Sequence, residues 1–142
     1  MKIIRDNITN ATGDYIVNAS NTRLILGSGI SMAIKRHCGF EIQKEMSNQS
    51  PIKQGQVVKT SAGKSTHFKA VLHAAITDMK LATTLDVIYT ALINIDSYCD
   101  ESTKLIMPLL GTGIGGLNRD EVLAMYQEFY KNKNYAVEIW VT

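Results

Sequence analysis

The sequence predicts an α/β fold: a three-layer α/β/α sandwich in which helices cover both faces of a mixed, mostly parallel sheet. Short apolar runs rich in β-forming residues alternate with segments in which apolar residues recur at helical spacing. The run at 15–20 opens with consecutive large β-formers, as expected of a strand buried on both faces. The 142 residues, 45% hydrophobic and 20% charged, contain no internal repeat or linker-like stretch. We therefore expect one domain spanning residues 1–142.

The N-terminal part is predicted to contain two strands followed by helical sequence. Weak alternation in "MKIIRDN" favours a first strand, and the run at 15–20 is the second. From residue 30 to 38, apolar residues follow helical spacing, and Gly39 stands where a left-handed residue commonly ends a helix. The segment "EIQKEM" adds a further helical turn or two.

A hairpin and the clearest helix are predicted next. "GQVVKTSA" and "HFKAVLHAAI" have the composition of strands, with "GKST" as the turn between them. In the helix that follows, Thr83 and Asp86 resemble a capping box. Its apolar stripe consists of Leu85, Ile88, Leu92 and Ile95.

The C-terminal part repeats the alternation of strand and helix. A buried strand is predicted over 104–110, ending at "GTGIGG". Asn118, with Glu121 three residues later, is expected to cap a helix that runs to about Lys131. "YAVEIWV" forms the last predicted strand. Strands that alternate with helices in this way favour a mainly parallel sheet.

Charge does not indicate a nucleic-acid-binding protein. The formal net charge is +2, so no DNA partner is expected. No acidic residue lies between Glu45 and Asp78, a stretch that we interpret as a solvated basic edge, with a polyanion-binding patch as the alternative. The lysines named for that alternative are Lys53, Lys59, Lys64 and Lys69.

Metal and membrane sites are not predicted. Cys38 and Cys99 lie far apart without CxxC spacing, and the three histidines show no metal-ligand pattern. No metal and no cofactor is therefore expected. The N-terminus lacks the apolar core of a signal peptide, and no stretch of about 18 apolar residues occurs. We expect a cytoplasmic protein with no membrane partner, and a monomer is favoured.

Two glycine-rich turns carry the functional information. One joins the strand at 15–20 to the helix at 30–38, and the other, "GTGIGG", joins the strand at 104–110 to the next helix. Ligands of open α/β sheets bind where the carboxyl ends of strands meet helix N-termini. Glycine lets successive N–H groups point at one anion, and each helix N-terminus adds partial positive charge. Two such loops are able to grip a diphosphate without any lysine, although each alone is also consistent with a plain turn.

An ordered set of segments resembles the macro domain family, the ADP-ribose-binding modules that include the ADP-ribose 1″-phosphate (Appr-1″-p) processing type. Here the family segments read "DNIT" (6–9), "IVNASN" (16–21), "GSGIS" (27–31), "AVLHAA" (70–75) and "GTGIGG" (111–116). The resemblance covers nearly the whole chain. It implies a sheet between helices and binding of ADP-ribose, or of an ADP-ribose derivative that is free or protein-linked.

The resemblance also assigns a site. Both glycine loops would hold the diphosphate and distal ribose through backbone N–H groups, and Ile8 would offer a backbone N–H to adenine. Asn21 matches the asparagine that touches the distal ribose and, in hydrolytic members, helps to place a water. For Asn18 a structural role, bridging loop backbones, is the alternative. The implied ligand-binding residues are Asn7, Ile8, Asn18, Asn21, Gly27, Ser28, Gly29, Ile30, Ser31, Leu110, Gly111, Thr112, Gly113, Ile114, Gly115 and Gly116.

Two departures from the family pattern affect chemistry. The family's adenine-reading aspartate falls on Asn7, whose amide oxygen accepts without charge assistance, while Asp6 occupies the family's glycine position. Asp6 would substitute only if the turn reorients. The aspartate of the best-known hydrolytic branch, ten residues after Asn21, is Ser31 here, and a serine is not a carboxylate base.

Gly115, Trp140 and His73 also bear on the predicted site. The aromatic residue that often follows "GTGI" is Gly115, so we expect a looser loop that lacks one wall of the ribose pocket. Trp140 is the nearest candidate to stack on adenine, but its place in the alternation favours core packing. His73 lies mid-strand among apolar residues and is expected to be a satisfied core histidine.

Three functions stay open at this point. The leading hypothesis is binding of ADP-ribose. The second is hydrolysis of ester-linked ADP-ribose, of ADP-ribose 1″-phosphate or of O-acetyl-ADP-ribose, with Asn21 as the catalytic residue. The third is binding of poly-ADP-ribose or RNA through the lysines of the basic edge.

Overall fold

The computed structural model describes residues 1–27 and 29–142. Within them the chain forms six strands, four α-helices and a 3-10 turn over Ile8–Asn10. The strands are β1 (Lys2–Arg5), β2 (Gly13–Asn21), β3 (Val57–Ser61), β4 (Phe68–Thr77), β5 (Lys104–Met107) and β6 (Ala136–Val141). The helices are α1 (Ile30–Cys38), α2 (Glu41–Ser47), α3 (Leu85–Asp96) and α4 (Arg119–Tyr130).

The strands form one mixed sheet, in the order β1-β6-β5-β2-β4-β3. All neighbours pair in parallel except β3 and β4, which form the predicted hairpin. β2 therefore lies directly beside β5, and the loops that follow these two strands leave the sheet at the same edge. The predicted α/β/α sandwich with a mostly parallel sheet is confirmed.

Each face of the sheet has its own apolar core. Ile16 packs with α1 and α2, whereas its neighbour Val17 packs with α3 and α4. Val71 and Leu72 of β4 divide in the same way. Because successive side chains of a strand point to opposite faces, a strand covered on both sides needs a continuous apolar run.

Two boundaries differ from the prediction. The strand expected over 104–110 ends at Met107, because Pro108 has no N–H to continue the ladder. The predicted capping box was placed one residue too early. Thr84 caps α3, its hydroxyl accepting from the N–H of Val87 at 3.3 Å, whereas the Thr83 hydroxyl is buried and has no hydrogen-bond partner among the described residues.

No helix in the described part of the chain is long and apolar enough to cross a membrane.

Tyr126 joins α4 to the segment after β5. Its side chain is fully buried, and its hydroxyl donates to the carbonyl of Pro108 at 2.8 Å. The same oxygen accepts from the N–H of Leu110 at 2.9 Å. This hydroxyl replaces the sheet partners that the segment loses beyond Met107.

We expect Tyr126→Phe to lower the free energy of unfolding by about 1–3 kcal/mol, because it leaves the buried N–H of Leu110 and the partly buried carbonyl of Pro108 unpaired. Urea denaturation with an unchanged m-value measures this loss. Tyr130→Phe is the matched control, since the one hydrogen bond of the Tyr130 hydroxyl among the described residues is to the Met107 sulfur at 3.1 Å, a weak acceptor. A loss that is no larger in Tyr126→Phe than in Tyr130→Phe would contradict the assignment.

Candidate functional site

A cleft of about 580 Å³ lies at the carboxyl edge of the sheet. Its walls come from the two glycine loops, the 3-10 turn, the β4–α3 loop and the end of β6. This volume is within the range of small-molecule sites, roughly 300–1,000 Å³. The cleft occupies the place that strand order and loop sequence predict for a ligand.

The first glycine loop exposes the N-terminus of α1 to the cleft. Gly27, Gly29 and Ile30 line it, whereas predicted residue Ser28 lies outside the described residues. Gly29 has φ +57°, and a Cβ built on it would meet nothing within 4 Å. Among the described residues, no side chain caps this helix end, so its first N–H groups are available to a ligand.

The second glycine loop forms the facing wall through Gly111–Gly115. Gly111 has φ +78°, and its carbonyl accepts from the N–H of Leu117 at 2.9 Å, which folds the loop back on itself. Of the other predicted members, Gly116 does not line the cleft, and Leu110 is fully buried with its N–H held by Tyr126. Those two are therefore poorly placed to contact a ligand.

Gly115 lies in a confined position. A Cβ there would be 2.6 Å from Cγ2 of Thr83 and 2.9 Å from the Gly111 carbonyl oxygen. No side chain fits at residue 115 with this backbone, and the Thr83 methyl fills the space beside it. Thr83 is not among the described residues that line the cleft, so this close packing is behind the loop, and the missing ribose wall stays a prediction.

Asn18 does not line the cleft but belongs to a buried hydrogen-bonded chain. Ser31 Oγ donates to Asn18 Oδ1 at 2.9 Å, and Asn18 Nδ2 lies 3.0 Å from His73 Nδ1. His73 Nε2 lies 2.8 Å from Thr60 Oγ1, which in turn donates to the Ser61 carbonyl. The Asn18 amide donates to Nδ1, so Nε2 carries the proton and the ring is neutral. Asn18 is thus held in a structural position, although it bridges the side chains of Ser31 and His73 rather than the loop backbones that were expected.

His73 is a satisfied core histidine, as predicted. Its side chain is fully buried between strands, and burial lowers its pKa to about 3. It is therefore neutral throughout the physiological range and orients Asn18 rather than acting as a general base.

Ser31 lines the cleft but has no free proton to donate. Its single hydroxyl hydrogen is directed to Asn18 Oδ1, with the Ala19 carbonyl 3.2 Å away as a second acceptor. With 4% of its surface exposed, it holds the start of α1 against β2. It cannot supply the carboxylate that activates a water.

Asn21 lines the cleft, but most of its amide is used within its own loop. Its Oδ1 accepts from the N–H groups of Arg23 at 3.1 Å and Ile25 at 3.2 Å, while its Nδ2 donates to the Ile25 carbonyl at 3.1 Å. These bonds support Leu24, a buried residue with φ +56°. One N–H of the amide is left for a ligand, and the oxygen is not free to orient a water.

The far end of the cleft is formed by the 3-10 turn and the end of β6. Asn7 and Ile8 line it as predicted, together with Asp6. Trp140 also lines the cleft, although its place in the alternation favours core packing. Trp140 both lines the cleft and packs against the core, because it is partly exposed at the carboxyl end of its strand. The core that it contacts is the one covered by α1 and α2.

Leu81 and Arg119 are among the lining residues that sequence reasoning missed. Leu81, in the β4–α3 loop, has φ +62° and is 49% exposed at the cleft. The Asp78 carboxylate accepts from the N–H groups of Lys80 and Ala82 and fixes this loop. Leucine rarely adopts such a backbone, so no sequence signal marks it. Arg119 also lines the cleft, but in the sequence it is recognisable only as the first residue of a predicted helix.

The lining is nearly neutral. Among the described residues that line it, Asp6 and Arg119 are the only acidic or basic ones. Within the same residues, no three His, Cys, Asp or Glu side chains group as metal ligands would. An anion in this cleft would meet backbone N–H groups rather than a cluster of lysine side chains.

Comparisons with known proteins agree on one family. The family model described as Macro domain matches residues 17–126. A relative in Aquifex aeolicus, an uncharacterized protein, is 33% identical over 135 residues, which cover 92% of this chain and 81% of the relative. An uncharacterized protein of Mycobacterium tuberculosis is 32% identical over 123 residues, and the match spans 85% of this chain but 34% of that protein.

Solved structures share the fold at low sequence identity. The Trypanosoma brucei macrodomain in complex with ADP-ribose superposes with a TM-score of 0.82 at 20% identity, covering 99% of this chain and 63% of that one. The macrodomain of Mycobacterium tuberculosis DarG gives 0.81 at 20% identity, covering 99% and 97%. A macrodomain of Oceanobacillus iheyensis with ADP-ribose gives 0.81 at 22% identity, covering 97% and 82%.

The buried chain predicts an acid-dependent loss of stability. An unfolded histidine titrates near pH 6.5, whereas His73 in the fold resists protonation until about pH 3. His73 therefore contributes most above pH 6.5, and its contribution falls by up to about 1.4 kcal/mol per pH unit between pH 6 and 4.

His73→Gln removes this titration while keeping one donor and one acceptor. Urea denaturation from pH 7 to pH 4 should give a shallower dependence on pH for His73→Gln than for the unmodified chain. Carboxylates contribute equally to both proteins, so the difference isolates His73. Identical slopes would show that His73 is not held neutral by burial.

Proposed function

We propose that this chain, which belongs to the macro domain family, binds ADP-ribose or an ADP-ribose derivative, free or protein-linked, in the cleft between its two glycine loops. The observation that supports this most directly is the uncapped N-terminus of α1 beside Gly29, facing the Gly111–Gly115 loop. An anionic bridge between two sugars satisfies those N–H groups from both sides. Solved relatives of the same fold hold ADP-ribose.

The dimensions and charge of the cleft support a whole dinucleotide-like ligand. In the strand order β1-β6-β5-β2-β4-β3, the glycine loops follow the two central strands β5 and β2. The β4–α3 loop lies on the β4 side of them, next to Asn21 at the end of β2, and the 3-10 turn after β1 lies on the other side with Trp140 of β6. A diphosphate held by backbone dipoles needs no lysine, in keeping with the nearly neutral lining. Amide donors and apolar walls of this kind also suit ribose and a base.

Binding is favoured over hydrolysis. The Ser31 hydroxyl is committed to Asn18, and the Asn21 oxygen accepts from two backbone N–H groups. Asp6, the one carboxylate of the described lining, belongs to the opposite end from Asn21. General-base catalysis needs an acceptor within hydrogen-bond reach of the attacking water.

The basic edge is not part of this site. None of Lys53, Lys59, Lys64 and Lys69 is among the described lining residues, and Lys69 is ion-paired with Asp14 at 2.9 Å. We expect affinity for ADP-ribose to depend weakly on salt, unlike a polyanion surface, whose affinity falls steeply.

Titration calorimetry with ADP-ribose is expected to give saturable binding that Gly29→Glu abolishes, a loss of at least about a hundredfold. The new carboxylate would fill the open space at Gly29 and repel the diphosphate, and like charges in contact cost several kcal/mol. Trp140 is the only tryptophan, so its fluorescence provides a second readout.

Gly39→Glu is the matched control. Gly39 follows the other end of α1, also with positive φ, and its nearest neighbour is the flexible Lys64 side chain at 3.7 Å. Gly39→Glu also places a side chain on a backbone with positive φ, but outside the cleft, so this variant should bind ADP-ribose like the unmodified chain. Absence of binding at millimolar ADP-ribose would end the proposal.

A peptide that is ADP-ribosylated on glutamate should lose ADP-ribose no faster in the presence of the protein than in buffer alone. Release of ADP-ribose, followed by chromatography, is the measurement. Turnover that disappears in Asn21→Ala would instead support the hydrolase hypothesis.

A further inference from the structure

We propose that the hydroxyl of Ser20 donates a hydrogen bond to the diphosphate of the ligand and so adds a side-chain donor to the backbone N–H groups of the first glycine loop. This inference rests on the proposed function, because it concerns the anion-binding part of the same cleft. Ser20 is the serine of "NASN", between Asn18 and Asn21, and sequence reasoning assigned it no role.

The Ser20 hydroxyl is buried without a partner. The residue is 4% exposed, and its Oγ makes no hydrogen bond to any described residue. A buried hydroxyl that lacks a hydrogen bond costs free energy, and native proteins leave few of them unpaired. Ser20 also lines the cleft, so a ligand is in a position to supply the missing partner.

The side chain of Ser20 lies below the N-terminal end of α1. Side chains of β2 alternate between the two faces, so Ser20 shares its face with Asn18, whose Oδ1 accepts from Ser31 Oγ at 2.9 Å. The irregularity of β2 comes only after Ser20. Ser31, the second residue of α1, also has its Oγ 3.2 Å from the carbonyl oxygen of Ala19. The first turn of α1 therefore packs on the strand residue that precedes Ser20.

The sheet opens beside Ser20. β5 ends at Met107, and its pairing with β2 extends no further than Ile16. Ser20 is paired with β4 on its other side. On the open side, Pro108 and Leu109 line the cleft together with Ser20. Ser20 thus belongs to the floor of the cleft and not to a closed part of the core.

The oxygen of a phosphate is the partner that fits this position. The N–H groups at the start of α1 only donate, so the ligand atom that meets them must accept. A serine hydroxyl turns about its Cα–Cβ bond among three staggered positions and has one hydrogen to donate. A phosphate oxygen has several lone pairs and accepts from the α1 N–H groups and from Ser20 together. Its charge strengthens each of these hydrogen bonds.

Removal of this hydroxyl should act in opposite directions on stability and on affinity. In the free protein, Ser20→Ala removes a buried polar group that has no partner, so the melting temperature should stay the same or rise. In the complex, the same substitution removes a hydrogen bond to the ligand, so affinity should fall. A hydroxyl that supports the fold would lower both quantities when it is removed.

The direct test is calorimetry with ADP-ribose and with ADP, which share the adenosine diphosphate part and differ in the distal ribose. Ser20→Ala should weaken the binding of both ligands by at least about tenfold, the effect expected for one hydrogen bond to a charged acceptor. Thermal unfolding of the ligand-free proteins measures the accompanying change in stability.

Thr83→Val is the matched control. The Thr83 hydroxyl is likewise buried and unpaired within the described part of the chain, but Thr83 is not among the described residues that line the cleft. Valine keeps the shape of the side chain and its methyl group beside Gly115. This variant should also keep or raise the melting temperature, and it should bind ADP-ribose and ADP like the unmodified chain.

The outcomes separate this inference from the proposed function. Unchanged affinity in Ser20→Ala, an equal loss in Thr83→Val, or a loss accompanied by a lower melting temperature would overturn the role of Ser20 while ADP-ribose binding stands. A loss confined to ADP-ribose would move the contact to the distal ribose and overturn the assignment to the diphosphate. Failure of the unmodified chain to bind either ligand would overturn the proposed function and this inference with it.

Discussion

The start of α1 is held by one line of buried hydrogen bonds that crosses three strands. It runs from Ser31 through Asn18 and His73 to Thr60, with each of these side chains at most 4% exposed. Every member donates in the same direction, and only a neutral imidazole satisfies both neighbours. An unpaired polar group costs free energy in an apolar interior. Loss of any one of these hydrogen bonds would therefore strongly destabilise the fold. The position of the first glycine loop depends on this line of hydrogen bonds.

The cleft presents backbone N–H groups, rather than charged side chains, to the anion that we propose it binds. The first N–H groups of α1 are uncapped, and the second loop faces them because β2 and β5 are neighbours. Backbone dipoles are already oriented and lose little entropy when a ligand binds. Lysines would attract many anions, whereas a fixed set of N–H groups selects by shape as well as charge.

The polar residues near this cleft illustrate how context assigns a role. Asn18 and Ser31 position backbone, Asn21 closes its own loop, and Asn7 caps a turn. Each side chain has a small number of hydrogen-bonding positions, and those spent inside the protein are lost to a ligand.

The sequence by itself determined the order of strands and helices, the hairpin, the neutral core histidine and the location of the cleft. These features follow from periodicity, glycine positions and caps, which act over a few residues. Only the tertiary structure decided that Trp140 reaches the cleft, that Leu81 lines it, and that Thr83 fills the space at Gly115. It also decided that the Asn18 amide is hydrogen-bonded to His73, which lies 55 residues away in the sequence. The contacts of these side chains depend on how segments that are distant in sequence pack together, and local sequence patterns do not predict that packing.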